Sequence, residues 1–186
     1  MDSGTEHYRR YCAGEESGLA AIIREYKDGL IFYLYGIVGD IHTAEDLAED
    51  TFVLLGVRKP RNRETASFKT WLYTIGRNRA LDWLRRRRRE ARSAEELPSA
   101  ELPDDALQLE QAYLQQEEKQ RLYRAMGRLS SEHRQVLWLL YFEDMSAKQA
   151  AQVMGKSAHG IESLAHRARL ALKTQMKTED FSDENQ

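Results

Sequence analysis

Five consecutive arginines, Arg85–Arg89, stand in a segment that also carries Phe68, Trp71, Tyr73 and Trp83. Arginine presents a planar, permanently charged fork of donors that matches phosphate oxygens. An aromatic face can stack on an unpaired base, so the two residue types together suit a single-stranded nucleic acid. Residues 58–92 hold 13 basic and 3 acidic side chains, a net charge of +10. A run of five arginines circles a helix completely, so some of them face solvent or a polyanion whatever the fold. Phe68 and Trp71 also fit a core, being at helical spacing with Leu72 and Ile75, whereas packing accounts less well for Tyr73, Asn78, Arg79 and Trp83.

A second constellation lies at 146–173. A helix-turn-helix needs a small residue where its helices meet, a turn residue that tolerates positive φ, and apolar side chains that lock the second helix down. Ala151, Gly155, Ile161 and Leu164 meet those needs, and Ser157 stands where the second helix wants an N-cap. The second helix then presents His159, Glu162, Ser163, His166, Arg167 and Arg169 outward, following Lys156 and Ser157 in the turn. In such a motif the N-terminal part of that helix enters the major groove and later basic residues reach phosphates. The alternative is a short helical hairpin in an ordinary bundle, with His159 and His166 as surface residues.

A third group is acidic. Glu45, Asp46, Glu49 and Asp50 recur at helical spacing and form one carboxylate face. Such a face could hold Mg²⁺ in a nucleic-acid enzyme, but no partner motif accompanies it. His42 has only nearby carboxylates for company, and Cys12 is the only cysteine. Neither a thiolate metal site nor an intramolecular disulfide can form from it. The expectation is no metal, no cofactor and no catalysis.

The elements that must position these groups read as helices. With only 11 glycines and 3 prolines, long stretches lack helix breakers, and no segment alternates apolar and polar residues over a useful length. Leu19, Ile22, Ile23, Tyr26, Leu30, Tyr33, Leu34 and Ile37 predict a helix over 16–38, ended by Gly39-Asp40. Thr43 reads as an N-cap, with Asp46 three residues on, for a helix to about Val57 that buries Leu47, Thr51, Leu54 and Leu55. A basic loop, Lys59–Thr65, leads to a helix capped by Thr65 or Ser67 that runs into the arginines. Residues 93–106 have linker composition. Helical pattern resumes near Leu107 and continues to about Gly127. Ser130 or Ser131 caps the next helix, with Val136, Leu137, Leu140 and Tyr141 inward; the last helix runs from Ala158 to about Met176, and Thr178–Gln186 is expected to fray.

Charge divides along the same lines. Residues 1–57 hold 4 basic and 11 acidic groups, 93–118 hold 8 acidic and no basic ones, 119–177 hold 11 basic and 4 acidic, and the tail 178–186 is net −4. Two basic blocks separated by an acidic spacer point to two surfaces that each meet a polyanion. The longest apolar run, Gly29–Val38, is short of the roughly 18 residues a membrane span needs and holds two tyrosines. With no signal peptide in view, the expected compartment is the cytoplasm and no membrane insertion is expected.

These segments carry a family resemblance. Asp46-Leu-Ala-Glu-Asp-Thr-Phe-Val53 resembles region 2.2 of bacterial RNA polymerase sigma factors. The stretch from Phe68 to Arg85 resembles regions 2.3 and 2.4, with Phe68, Trp71, Leu72, Arg77, Asn78 and Asp82 at the matching places. Leu129-Ser-Ser-Glu-His-Arg-Gln-Val-Leu137 resembles the opening of region 4, and His166-Arg-Ala-Arg169 resembles the motif that trails its helix-turn-helix. In order and spacing the matches resemble the minimal extracytoplasmic-function (ECF) group over about 16–176.

The resemblance implies an all-α fold of two small helical domains: region 2 over 1–92, an acidic linker over 93–118 running into the first helix of region 4, region 4 over 119–177, and an acidic tail over 178–186. It implies a core RNA polymerase interface at Asp46, Glu49, Asp50 and Phe52. It implies capture and melting of the −10 element by Arg61, Asn62, Arg63, Trp71, Tyr73, Asn78, Arg79, Trp83, Arg85 and Arg86. It implies −35 reading by Lys156, Ser157, His159, Glu162, Ser163, His166, Arg167 and Arg169. An inhibitory anti-sigma factor is a further implied partner. Glu162 and Leu164 stand where the family commonly has Lys and Arg, and Gly160 where Thr is common; Glu can accept from cytosine N4, so a different −35 preference is expected. An autonomous helix-turn-helix regulator is the competing reading, but it leaves the carboxylate face and the arginine helix without a task.

Overall fold

A computed structural model describes residues 3–60, 66–93 and 117–183, and every regular element among them is helical. The all-α expectation holds. Residues 94–116 of the acidic spacer, and Arg61, Asn62 and Arg63, lie outside the described residues.

The first helix, α1 (Ser3–Cys12), has no counterpart in the sequence expectations. It carries only a few apolar residues, so its place is set by tertiary contacts rather than by pattern. It packs along α2 (Glu16–Val38), the central element, which also contacts α3 (Ile41–Arg58) and α4 (Phe68–Ser93). Ile22, Tyr26, Leu30, Leu34 and Ile37 form its buried stripe. Gly39 ends it in the left-handed region at φ 79°, its N–H donating to Tyr35 O.

Asp40, not Thr43, caps α3: its carboxylate accepts from the Thr43 N–H at 2.7 Å. That bond, together with the absence of much burial to oppose it, holds the Asp40 pKa below its ordinary value. The helix thus starts three residues earlier than expected, and Ala44, Leu47, Ala48, Thr51, Phe52 and Leu55 face the core. Ser67 caps α4, its Oγ accepting from the Thr70 N–H at 3.2 Å.

The C-terminal half opens with α5 (Glu117–Gly127) and α6 (Ser131–Leu137), the latter capped by Ser130. A π-helical turn, Trp138–Phe142, follows directly. The wider turn shifts the register of everything it carries. Leu139 is therefore fully buried and Tyr141 is 53% exposed, which corrects the inward placement of Tyr141. Ser146 and Gln149 form a reciprocal capping box at the start of α7 (Ala147–Met154). The last helix, α8 (Ala158–Asp183), continues past Met176 through part of the segment expected to fray.

The two halves are docked on each other. α6 packs on α2, and α7 packs on α4. Arg134 Nε and Ser131 Oγ both donate to Gly36 O, at 3.2 and 3.0 Å. Lys69 Nζ lies 2.9 Å from the Glu143 carboxylate, Arg77 Nε donates to Gln135 Oε1 at 3.1 Å, and Gln149 Nε2 donates to Ser67 Oγ at 3.4 Å. The buried apolar side chains of both halves join in one cluster.

Candidate nucleic-acid interface

The helix-turn-helix is built as its sequence requires. Gly155 adopts φ 63° at the end of α7, a conformation that costs a residue with a Cβ roughly 1 kcal/mol or more. Ser157 Oγ then accepts from the Gly160 N–H at 3.0 Å, satisfying a free donor of α8. Ile161, Leu164, Ala165 and Ala168 face inward, against α5, α6 and α7. The spacing that buries them leaves His159, Glu162, Ser163 and His166 in one exposed stripe, with Arg167 and Arg169 beyond. All the predicted residues of this group are exposed. Two are already engaged: Lys156 pairs with Glu132 at 3.0 Å, and Arg169 donates to the Tyr141 hydroxyl at 2.9 Å.

The arginine helix is more divided. Asn78, Arg85 and Arg86 are exposed and Trp83 is half-buried, with Arg87 over its ring at 5.1 Å. Arg85 pairs with Asp82 at 2.6 Å. Trp71 is half-buried against Phe68 and Tyr8. Tyr73 is a correction: it is fully buried, its ring 5.3 Å from that of Tyr33. α4 is sandwiched between α2 and the C-terminal half, so it has two buried faces where sequence spacing predicted one. The Tyr73 hydroxyl lies beside the Glu143 carboxylate; burial first, then that carboxylate, push its pKa well above the ordinary tyrosine value. It cannot stack on a base from there.

On α3 the exposed face holds Asp46, Glu49 and Asp50, as expected, whereas Phe52 is only 6% exposed and belongs to the core. Its neighbours in the exposed stripe are instead Val53 and Val57, 53% and 79% exposed. Their spacing of i+4 and i+8 from Glu49 was the available signal. Asp50 also pairs with Arg79 at 3.2 Å, so the carboxylate face and the basic helix meet along one edge.

Comparison with known proteins gives these surfaces a family. Residues 22–90 match the model for Sigma-70 region 2, and residues 119–172 match that for Sigma-70, region 4. The RNA polymerase sigma factor YlaC of Bacillus subtilis is 32% identical over 158 residues, covering 83% of this chain and 90% of YlaC. The chain belongs to the ECF RNA polymerase sigma factors. Another relative, the ECF sigma factor SigW of Bacillus subtilis, is 25% identical over 171 residues, covering 88% of this chain and 91% of SigW. Among solved structures, the sigma factor RpoE of Bartonella quintana, in complex with the anti-sigma factor NepR, shares the fold at a TM-score of 0.67 and 23% identity, covering 85% of this chain and 96% of RpoE.

Sigma factors direct RNA polymerase to promoters and are not themselves catalytic. The region 2 match carries most of α2, all of α3 and most of α4; the region 4 match carries most of α5, all of α6 and α7 and the first part of α8. No described helix is long and apolar enough to cross a membrane.

Proposed function

We propose that this sigma factor divides promoter recognition among three surfaces. The outer face of α3, with Asp46, Glu49 and Asp50 supplying charge and Val53 and Val57 apolar area, docks on core polymerase. The basic connection between α3 and α4, with Asn78, Trp83, Arg85 and Arg86, captures the opened −10 strand. Taking a base out of the stack costs a few kcal/mol, which stacking and charge-assisted phosphate contacts must offset. The exposed stripe of α8 reads the −35 duplex in the major groove.

One observation carries the reading: His159, Glu162, Ser163 and His166 share one exposed face of α8, opposite the buried Ile161, Leu164, Ala165 and Ala168. The first helix of the motif, α7, meanwhile lies against α4, and Gln149 and Glu143 occupy Ser67 and Lys69 at the helix start. The docked form thus withholds the entry of α4, and polymerase binding favours a form in which the halves separate. A partner that prefers the docked form holds the factor inactive; the RpoE structure with its anti-sigma factor supports that expectation. The work is done in the cytoplasm, where polymerase and DNA are found.

The interface assignment is tested by co-elution with core RNA polymerase. Glu49→Arg with Asp50→Arg should weaken binding by about tenfold or more while the circular dichroism spectrum is kept. Unchanged affinity removes α3 from the core interface.

A further inference from the structure

One face of α4 carries two cations, and both are met by groups from the C-terminal half. Lys69 Nζ lies 2.9 Å from the Glu143 carboxylate and donates to Glu143 O at 3.0 Å. Eight residues on, Arg77 Nε donates to Gln135 Oε1 at 3.1 Å. Tyr73 stands midway between them and belongs to the core. The i, i+4, i+8 spacing keeps all three on one side of the helix, with roughly 12 Å of axis between the two charges. Asn78, next after Arg77, is exposed, so this face adjoins the one proposed to meet the opened strand.

The groups that cover the cations are uncommon in the half that supplies them. Residues 119–177 hold 11 basic and only 4 acidic side chains. Of those four, Glu132, Asp144 and Glu162 are exposed, whereas the Glu143 side chain is 10% exposed and set against α4. A Cβ on Gly29 would run into the Glu143 carboxylate, so α2 leaves room for it there. Gln135 is buried and offers Arg77 only a neutral oxygen, shared with the Tyr33 hydroxyl at 3.5 Å. A guanidinium bonds more strongly to an anion than to an amide, so Arg77 is served below its capacity. Phosphate oxygens would give each cation a full counter-charge, and arginine's planar fork suits them.

We infer that Lys69 and Arg77 are a further phosphate-binding pair for the opened strand, and that Glu143 and Gln135 occupy it while the halves are docked. The pair depends on the proposed role of α4 in capturing that strand. Docking and strand binding then exclude each other. A bound strand shifts the chain toward the open form, and the affinity of the free chain is reduced by the fraction that is open. Polymerase and the opened strand thus favour the same form, and the free factor is kept off stray single strands.

The test measures binding of the full chain to a labelled oligodeoxythymidine by fluorescence anisotropy across a salt series. The probe carries phosphates but no promoter sequence, and about 20 nucleotides exceed a typical single-strand site. Glu143→Gln should bind it about fivefold or more tightly than the parent, because the cover loosens. Asp144→Asn makes the same change of charge at an exposed neighbour and should gain less than about twofold. In the Glu143→Gln chain, adding Lys69→Gln with Arg77→Gln should reverse the gain. The slope of log affinity against log salt should become shallower by about 0.7 for each lost contact on a single strand, about 1.4 in all. Lys69→Arg with Arg77→Lys keeps both charges and should keep the slope. Arg85→Ala with Arg86→Ala, in the same background, reports on the rest of α4 and should also flatten it. An unchanged slope in the double glutamine variant, with the Arg85 and Arg86 variant reduced, overturns the Lys69–Arg77 pair alone. A slope lost as much with the charges kept marks a purely structural effect and also overturns the pair. Unchanged slopes in both sets overturn the reading of α4 as strand-binding, and the pair falls with it. A gain in Glu143→Gln no larger than in Asp144→Asn overturns the occupation by Glu143.

Discussion

Arg134 Nε donates to Gly36 O at 3.2 Å across 98 residues of sequence, while its Nη1 donates to Gly127 O at 2.8 Å and Leu129 O at 2.7 Å. Gly36 lies in the last turn of α2, where carbonyls have no partner within the helix and the dipole end is negative. α2 has no basic residue of its own in that turn. The opening motif of region 4 supplies the missing cation from the other half of the molecule, and it closes α5 with the same side chain. Burial pulls the Arg134 pKa down from its ordinary value, but the guanidinium stays charged throughout the working range.

Arg134→Met should therefore remove the side-chain donor of Gly127 O and Leu129 O, leave Gly36 O with Ser131 Oγ alone, and cost on the order of 2–3 kcal/mol of stability. Arg134→Lys should recover only part, because an ammonium cannot reach all three. Urea denaturation followed by circular dichroism measures both, and equal stability of the Met variant contradicts the assignment.

The Glu143 side chain is 10% exposed and accepts from Lys69 Nζ at 2.9 Å and Trp138 Nε1 at 3.2 Å. Glu143→Gln keeps its shape and removes its charge. The docked form should weaken by about 1–2 kcal/mol. Small-angle scattering should then show a larger mean radius of gyration at unchanged helix content; an unchanged radius would show that this pair does not hold the halves together.

Asp40 stabilises the start of α3 more strongly as a carboxylate than as the neutral acid. Its folded pKa is lowered, so the contribution is present above its unfolded value of about 4 and is lost as pH falls through the folded pKa. Asp40→Ala should cost about 1 kcal/mol at pH 7. Asp40→Asn can still cap, and should flatten the acid limb of the stability curve; an acid limb identical to the parent's assigns that pH dependence elsewhere.

Glu162 is exposed on the reading face of α8, so changing it should not touch stability. Glu162→Lys should move the preferred base at one −35 position by about 1–3 kcal/mol, roughly five- to 150-fold in selection. A library selection giving the parent's −35 preference would take Glu162 out of the readout.

Much of this architecture was legible in the residues, for reasons that stay local. The span of α2, its end at Gly39 and the register of α7 and α8 follow from apolar spacing and from caps, which neighbouring residues decide. What escaped was set at a distance. α1 is held by Tyr8 and Tyr11 against elements some 45 and more residues away. Spacing gives α4 one apolar stripe and leaves Tyr73 outside it, but docking of the C-terminal half buries a second face that includes Tyr73. Phe52 enters the expected interface through the family resemblance alone, whereas its place one residue after Thr51 and three before Leu55 puts it in the buried stripe of α3. An α-helical period points Tyr141 inward, and the π-turn at Trp138–Phe142 interrupts that period. Asp40 obeys a local capping rule, but Thr43 with Asp46 offers a weaker version of the capping box three residues on.

The central claim is that this chain confers promoter selectivity on RNA polymerase through both halves. The most direct measurement is transcription by core polymerase, with and without the chain, from a library randomised at two spaced elements. Transcripts should appear only with the chain, starting downstream of one enriched −10 sequence and one enriched −35 sequence. Transcripts no more abundant than with core alone, or duplex binding by the chain as a dimer without polymerase, would contradict it.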